Sequence, residues 1–140
     1  MTTTRMSQIQ PIQMTPDGYR PGACNIGPAE IRRRRDAGIG GAVATVVLAA
    51  VLLAIDAPAW ARLLVFLPAA GAAVGFLQMR SRFCVAYALQ GVRNFGPLGD
   101  AEKVADAADH GADLRAAARL IAGSVAIGAV VAVGFALLPV

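Results

Sequence analysis

The chain has 140 residues, of which 56% are hydrophobic and 16% are charged, and its mean hydropathy is +0.57. An average soluble domain is about 45–50% apolar and about 25% charged, so this composition favours a membrane protein. The 13 basic and 9 acidic residues give a net charge of +4, but no nucleic-acid-binding motif accompanies that charge. A nucleic-acid partner is therefore not expected.

The N-terminal part of the chain is predicted to lie outside the membrane. Residues 1–23 contain three prolines and show no period of 2 or 3.6, which predicts a disordered cytosolic arm without a secretory signal. Residues 24–36 form a juxtamembrane segment in which Pro28 suits the first turn of a short helix. We expect lipid head-group contacts, to anionic lipids above all, from four consecutive residues in it: Arg32, Arg33, Arg34 and Arg35.

Residues 37–140 are predicted to form a membrane domain. Its uncharged stretches cover about residues 37–55, 63–79 and 120–140, and about 20 residues are needed to cross about 30 Å of hydrocarbon. The second stretch lies at the short end of the spanning range. Pro68 predicts a kink in the second stretch. Small residues at a spacing of four predict close helix packing; they are Gly71 and Gly75 in the second stretch, and Ser124, Gly128 and Ala132 in the third.

Residues 80–119 connect the second and third stretches. The second helix is predicted to continue toward Leu89 along the membrane interface, and an alanine-rich acidic helix is predicted to begin at Asp100 as its N-cap. The expected fold class is an all-α membrane protein with three transmembrane helices plus cytosolic interfacial and acidic helices.

The distribution of Lys and Arg predicts the orientation. Six basic residues precede the first stretch, six lie in residues 80–119, and Arg62 alone lies between the first two stretches. Under the positive-inside rule, this pattern predicts a multi-pass protein of the cytoplasmic membrane with a cytosolic N-terminus and an outside C-terminus.

Two short segments contain the candidate functional residues. Cys24 and Cys84 each lie near arginines, and nearby cations favour the reactive thiolate form of a cysteine. The cysteines could equally be small packed side chains or palmitoylation sites. The complete candidate set is Cys24, Asn25, Arg82, Cys84, Arg93 and Asn94.

Other chemistry finds less support. On a helix, Glu102, Asp106, His110 and Asp113 would share one face and could ligate a divalent ion, but such a stripe is more often a solvated face. The spans contain no charged residue, which disfavours proton relay or ion pumping. No catalytic residue, cofactor or metal site is predicted, and the protein is not expected to be an enzyme.

Four segments resemble known families, three of them one family and the fourth another. Residues 24–35 (CNIGPAEIRRRR), 82–87 (RFCVAY) and 91–96 (GVRNFG) resemble small uncharacterised bacterial or archaeal integral membrane proteins, which implies a membrane location but no activity. Residues 75–84 (GFLQMRSRFC) are similar to cysteine-bearing segments of YeeE/YedE-type sulfur-compound transporters, much longer proteins with repeated segments. That similarity covers ten residues and carries over one position, Cys84.

The sequence thus predicts a non-enzymatic membrane protein that associates with copies of itself or with other membrane proteins, because its small-residue faces favour helix association. The alternative is cysteine-dependent handling or transport of sulfur compounds or metals at the cytosolic membrane face.

Overall fold

A computed structural model describes residues 18–140, so residues 1–17 of the predicted disordered arm lie outside the described part. The described elements, in chain order, are α1 (Pro28–Ala54), α2 (Ala59–Arg62), a 3-10 turn (Leu63–Val65), α3 (Phe66–Ser81), α4 (Val85–Gln90), β1 (Val92–Arg93), β2 (Glu102–Lys103) and α5 (Ala107–Ala136).

Three helical segments are long and apolar enough to cross a membrane: Pro28–Ala54 with 27 residues, Ala59–Ser81 with 23, and Ala107–Ala136 with 30. At 1.5 Å per residue they are about 40, 35 and 45 Å long, and a bilayer's hydrocarbon core is about 30 Å thick. The prediction of three helices of spanning length is confirmed.

The first span and the juxtamembrane helix are one continuous helix. α1 begins at Pro28 with Gly27 as its N-cap, as proline's missing N–H allows at a first turn. It ends at Ala54, and Asp56 turns the chain in the left-handed conformation with φ 51°.

The second span departs from regular α-helix near Pro68. Proline cannot donate a hydrogen bond to the carbonyl of Leu64, and the backbone tightens into the 3-10 turn just before α3. At the other end, α3 stops at Ser81 because Arg82 adopts the left-handed conformation with φ 53°. The predicted continuous helix toward Leu89 is therefore broken, and α4 is a separate element.

The predicted acidic helix is not a separate helix either. Glu102 and Lys103 form β2, which pairs antiparallel with β1 in the register Val92 to Lys103. α5 begins only at Ala107, where the Asp106 carboxylate accepts hydrogen bonds from the next turn as N-cap. From there α5 runs without interruption through the third span.

Close backbone approach holds the three spans together, with α3 in contact with both α1 and α5. A Cβ added at Gly75 would lie 2.5 Å from the Gly38 nitrogen, and one at Gly128 would lie 2.8 Å from the Ala70 Cβ. Ser124, Gly128 and Ala132 are all buried, which confirms the packing face predicted for the third span.

The two ends of this helix group differ. At the turn end, near residues 55–63, an apolar cluster contains Leu52, Ala57, Ala61, Val65 and Ala132. At the polar end, residues 18–27 and 82–106 pack over the helix ends, and the apolar cluster there contains Phe83, Val85, Ala88 and Ala117. The structure thus differs from the prediction for residues 18–23, since Tyr19 is buried.

Candidate functional site

Asn25 joins the two predicted functional segments. Its side-chain Nδ2 donates to the Cys84 carbonyl oxygen at 3.1 Å, and the Cys84 N–H donates to Asn25 Oδ1 at 2.7 Å. The Asn25 N–H donates to the Arg82 carbonyl oxygen at 3.2 Å, and the Asn94 N–H donates to the Asn25 carbonyl oxygen at 3.0 Å. A fully buried asparagine therefore connects three stretches that are far apart in the chain.

A buried carboxylate lies beside this junction. Glu30, on the first turn of α1, accepts hydrogen bonds at Oε1 from the Tyr87 hydroxyl at 2.7 Å and from Asn94 Nδ2 at 3.3 Å. Its Oε2 lies 3.4 Å from Arg34 Nη2, one helical turn later. Since Glu30 is fully buried, these three donors offset the cost of removing its charge from water.

Tyr87 donates its hydroxyl proton in a hydrogen bond to Glu30. Burial raises the pKa of the Tyr87 hydroxyl, and the hydrogen bond that it donates to Glu30 raises it further. The Arg34 guanidinium carbon lies 5.9 Å from the centre of the Tyr87 ring, within reach of a cation–π interaction.

Cys84 has its thiol against a cation. Arg34 Nη2 donates to Cys84 Sγ at 3.0 Å, and Cys84 itself has no exposed surface. The Arg34 Nε is buried and has no hydrogen-bond partner within residues 18–140. Asn25, Glu30, Arg34, Cys84, Tyr87 and Asn94 are hereafter called the Cys84 cluster.

Cys24 lies close to this cluster but has different contacts. The neighbouring residue Asn25 donates to the Cys84 carbonyl oxygen. The Cys24 thiol itself contacts the Ile26 carbonyl oxygen, 3.8 Å from Cys24 Sγ. Both cysteines are buried and free, with no disulfide between them. The segments that contain the two cysteines pack directly against each other through Asn25.

A second buried acid fastens residues 18–23 to α5. Asp113 accepts hydrogen bonds from the Tyr19 hydroxyl at 2.8 Å and from the Gly22 N–H at 2.7 Å. The Arg93 guanidinium carbon lies 4.9 Å from the centre of the Tyr19 ring. Burial and the contact with Asp113 raise the pKa of Tyr19 well above its usual range.

Apart from Cys24, the predicted site residues divide into three groups. Asn25, Cys84 and Asn94 belong to the Cys84 cluster. Arg82 contributes its backbone carbonyl, which accepts from the Asn25 N–H, and Arg82 is otherwise exposed. Arg93 lies over the Tyr19 ring, and its Nη2 lies 3.7 Å from Glu102 Oε2.

The four arginines predicted to contact lipid head groups differ in exposure. Arg32, Arg33 and Arg35 are exposed, whereas Arg34 turns inward to Glu30 and Cys84, which corrects the prediction for that residue. Arg34 faces inward because the buried carboxylate lies four residues before it, on the same helix face.

The four residues considered as a possible metal site, Glu102, Asp106, His110 and Asp113, have separate roles in the structure. Glu102 lies in β2, Asp106 caps α5 and Asp113 binds Tyr19 and Gly22. His110 Nε2 lies 3.0 Å from the Ala88 carbonyl oxygen. These four residues therefore do not share one helix face as ligands.

Sequence reasoning missed Glu30, Tyr87, Tyr19 and the inward role of Arg34. One available signal was the spacing of four between Glu30 and Arg34, which places an acid and a base on one helix face. Nothing in the sequence pairs Tyr19 with Asp113, 94 positions later.

Comparisons with protein-family models, with curated proteins and with solved structures found no match.

Proposed function

We propose that this protein is a non-enzymatic subunit of a larger assembly in the cytoplasmic membrane, with its N-terminus and residues 80–119 in the cytosol and its C-terminus outside. The orientation is supported by the twelve basic residues before the first span or within residues 80–119, against the single Arg62 at the turn end. The direct contact between the two basic segments at one end fits that orientation.

The open arrangement of the three spans is the observation that carries this proposal. α3 packs against both neighbours, while α1 and α5 have at most marginal contact with each other. Between them lies an apolar groove of about 400 Å³, with Ala69, Ala72 and Ala73 of α3 among its lining residues and Ile127 and Val131 on the α5 side. Small side chains let another helix approach closely in a membrane.

The occupant that we propose is α1 of a second copy. Val43, Val47 and Val51 of α1 are exposed and four residues apart, so they form a ridge that can enter a groove between side chains. The ridge also lies at the same height along the helices as the groove. Within one chain, Gly41 packs against Ala72 and Leu52 packs in the cluster with Val65, so residues 41–52 of α1 lie beside residues 65–72 of the second span.

Cross-linking in native membranes tests this packing. One tagged copy carries Val47→Cys and a second, differently tagged copy carries Val131→Cys, so that any product containing both tags joins two chains. The cross-linked product is expected with Val131→Cys and not with Val130→Cys. Val130 is the control, because it is adjacent in the chain, 74% exposed and outside the groove. A monomer in mild detergent together with equal cross-linking of both variants would refute the proposal.

The contact between Arg34 and Cys84 favours a second candidate function, cysteine-dependent handling of sulfur compounds at the cytosolic face. The Arg34 guanidinium lies 3.0 Å from the Cys84 sulfur, and Arg34 retains 18% side-chain exposure through which a small compound could approach. Under this function, Cys84→Ser abolishes sulfur-compound uptake at unchanged protein level.

The matched control is Cys24→Ser, because the Cys24 thiol donates to the Ile26 carbonyl oxygen and makes no hydrogen bond to an arginine within residues 18–140. Uptake that persists in Cys84→Ser, or that falls equally in both variants, counts against a specific role for Cys84.

A further inference from the structure

Three arginines line one cavity at the polar end. The cavity has a volume of about 690 Å³ and lies between residues 24–28, the first turns of α1 and the end of α3. Arg32, Arg80 and Arg82 line it, and none of their side chains makes a hydrogen bond or an ion pair within residues 18–140. Arg34 and Arg35 differ, since each is paired with a carboxylate.

Among the described residues that line this cavity, the only charged ones are arginines, and none is Asp or Glu. Like charges that line one cavity repel one another. An anion placed between them would remove that repulsion and accept their hydrogen bonds.

The backbone brings Arg82 to the cavity in an unusual way. Helices commonly end on a glycine in the left-handed conformation, but here an arginine occupies that position with φ 53°. The conformation is held by the hydrogen bond that the Phe83 N–H donates to the Gln78 carbonyl oxygen at 3.0 Å. An arginine side chain therefore projects at the end of α3, where a glycine would be conformationally easier.

The cavity lies at the level expected for lipid phosphates. Gly38, near the start of the uncharged part of α1, touches Gly75 of α3. Arg32 lies six residues before Gly38 and Arg80 lies five residues after Gly75, so both are about 8–9 Å along the helices from that contact. Ile31, Met79 and Phe95 also line the cavity and give it apolar surface.

We propose that Arg32, Arg80 and Arg82 form a binding site for a phosphate-bearing anion. Planar guanidinium groups match phosphate oxygens, and the apolar lining residues suit the glycerol and first acyl carbons of a phospholipid. The site goes beyond the proposed subunit function because it requires neither a second copy nor a reactive cysteine. It also moves the expected head-group contacts from four consecutive residues to three that converge from two helices.

Calorimetric titration of the full chain in a neutral detergent tests the site with three probes: short-chain phosphatidylglycerol, short-chain phosphatidylcholine and inorganic phosphate. Phosphatidylglycerol binding with weak phosphate binding identifies a lipid site, and the reverse identifies a free-phosphate site. Phosphatidylcholine should bind clearly more weakly than phosphatidylglycerol, because its head group carries no net negative charge. Binding of neither anionic probe, or equal binding of both lipids, would overturn the proposal.

Three variants test the assignment to residues. Arg82→Gln and Arg32→Gln should each weaken anion binding about tenfold or more, as expected for the loss of one charge-assisted hydrogen bond. The control is Arg33→Gln, which removes the same charge from an exposed neighbour that does not line the cavity, and it should change affinity less than about twofold. An equal loss in all three variants would indicate general surface attraction and refute the site.

Discussion

The two ends of the helix group are closed by different chemistry. At the turn end, small apolar residues pack together, and one arginine, Arg62, donates to three backbone carbonyls. At the polar end, Glu30 and Asp113 are fully buried and bind groups from distant parts of the chain. Buried carboxylates are costly unless all of their partners are present, so the polar end has the more demanding geometry.

This difference has a consequence for function. A packed apolar end tolerates substitution of similar volume, whereas a buried polar network loses much of its stabilisation when one member is removed. We therefore expect the substitutions with the largest effects to lie at the polar end, where the candidate site also lies.

The largest effect is expected from Glu30→Ala. The substitution leaves Arg34 without its counter-charge and Tyr87 without its acceptor, and breaking a buried ion pair costs about 3–5 kcal/mol. We expect a loss near 3 kcal/mol, because Arg34 keeps some exposure to solvent. The measurement is the free energy of unfolding in mixed micelles.

The control for Glu30→Ala is Asp36→Ala, which removes an exposed ion pair with Arg35. That change should cost less than about 1 kcal/mol. Equal losses in both variants would mean that burial at the polar end does not distinguish Glu30 from a surface acid.

The next effect tests the backbone contact beneath the Cys84 cluster. In Gly75→Val the new Cβ would lie 2.5 Å from the Gly38 nitrogen and 2.9 Å from the Arg34 carbonyl oxygen, so α1 and α3 must separate. Overpacking of this kind costs about 1–3 kcal/mol. It should also make Cys84 more reactive toward a thiol reagent.

Gly71→Val is the matched control on the same helix, because a Cβ at Gly71 meets nothing within 4 Å. Its stability should change by less than about 0.5 kcal/mol. A loss comparable to that of Gly75→Val would show that the separation of α1 and α3 is not the cause.

A smaller effect is expected at the turn end. Arg62→Gln removes donors to the carbonyl oxygens of Ala57, Leu138 and Val140, at a cost of about 1–2 kcal/mol. Hydrogen exchange should rise in residues 137–140, while the labelling rate of Cys84 should stay unchanged. Faster labelling of Cys84 would show that the two ends are coupled.

The same contrast explains what the sequence could predict. The spans, the turn at residues 55–58 and the buried face of Ser124, Gly128 and Ala132 follow from hydropathy and helical spacing, which are local properties. The broken helix after Ser81 and the late start of α5 depend on contacts with distant segments. Arg82 turns the chain, and Glu102 and Lys103 find strand partners in Val92 and Arg93.

The candidate site could be predicted only in part for the same reason. Cys84, Asn25 and Asn94 stood out as polar or reactive residues in otherwise apolar surroundings. Their partners, Glu30 and Arg34, lie within residues 30–36, whose four arginines are typical of a membrane anchor. A single sequence does not show which of the six charged residues in that segment face inward. That choice follows from the packing of α1 on α3.

The smallest effect concerns pH, and it tests whether both tyrosines belong to the polar end. Burial raises the pKa of Tyr19 and of Tyr87 above the usual value of 10, and hydrogen bonds to Asp113 and Glu30 raise both further. The folded protein therefore holds these protons more tightly than the unfolded chain. This contribution to stability is complete below about pH 10 and is lost as the pH rises through the folded-state pKa values.

An absorbance titration should show both tyrosinates forming at higher pH in the native protein than after unfolding, and Tyr19→Phe should leave only the Tyr87 transition. Ionisation of both tyrosines near pH 10 in the native state would contradict the buried hydrogen bonds on which the description of the polar end rests.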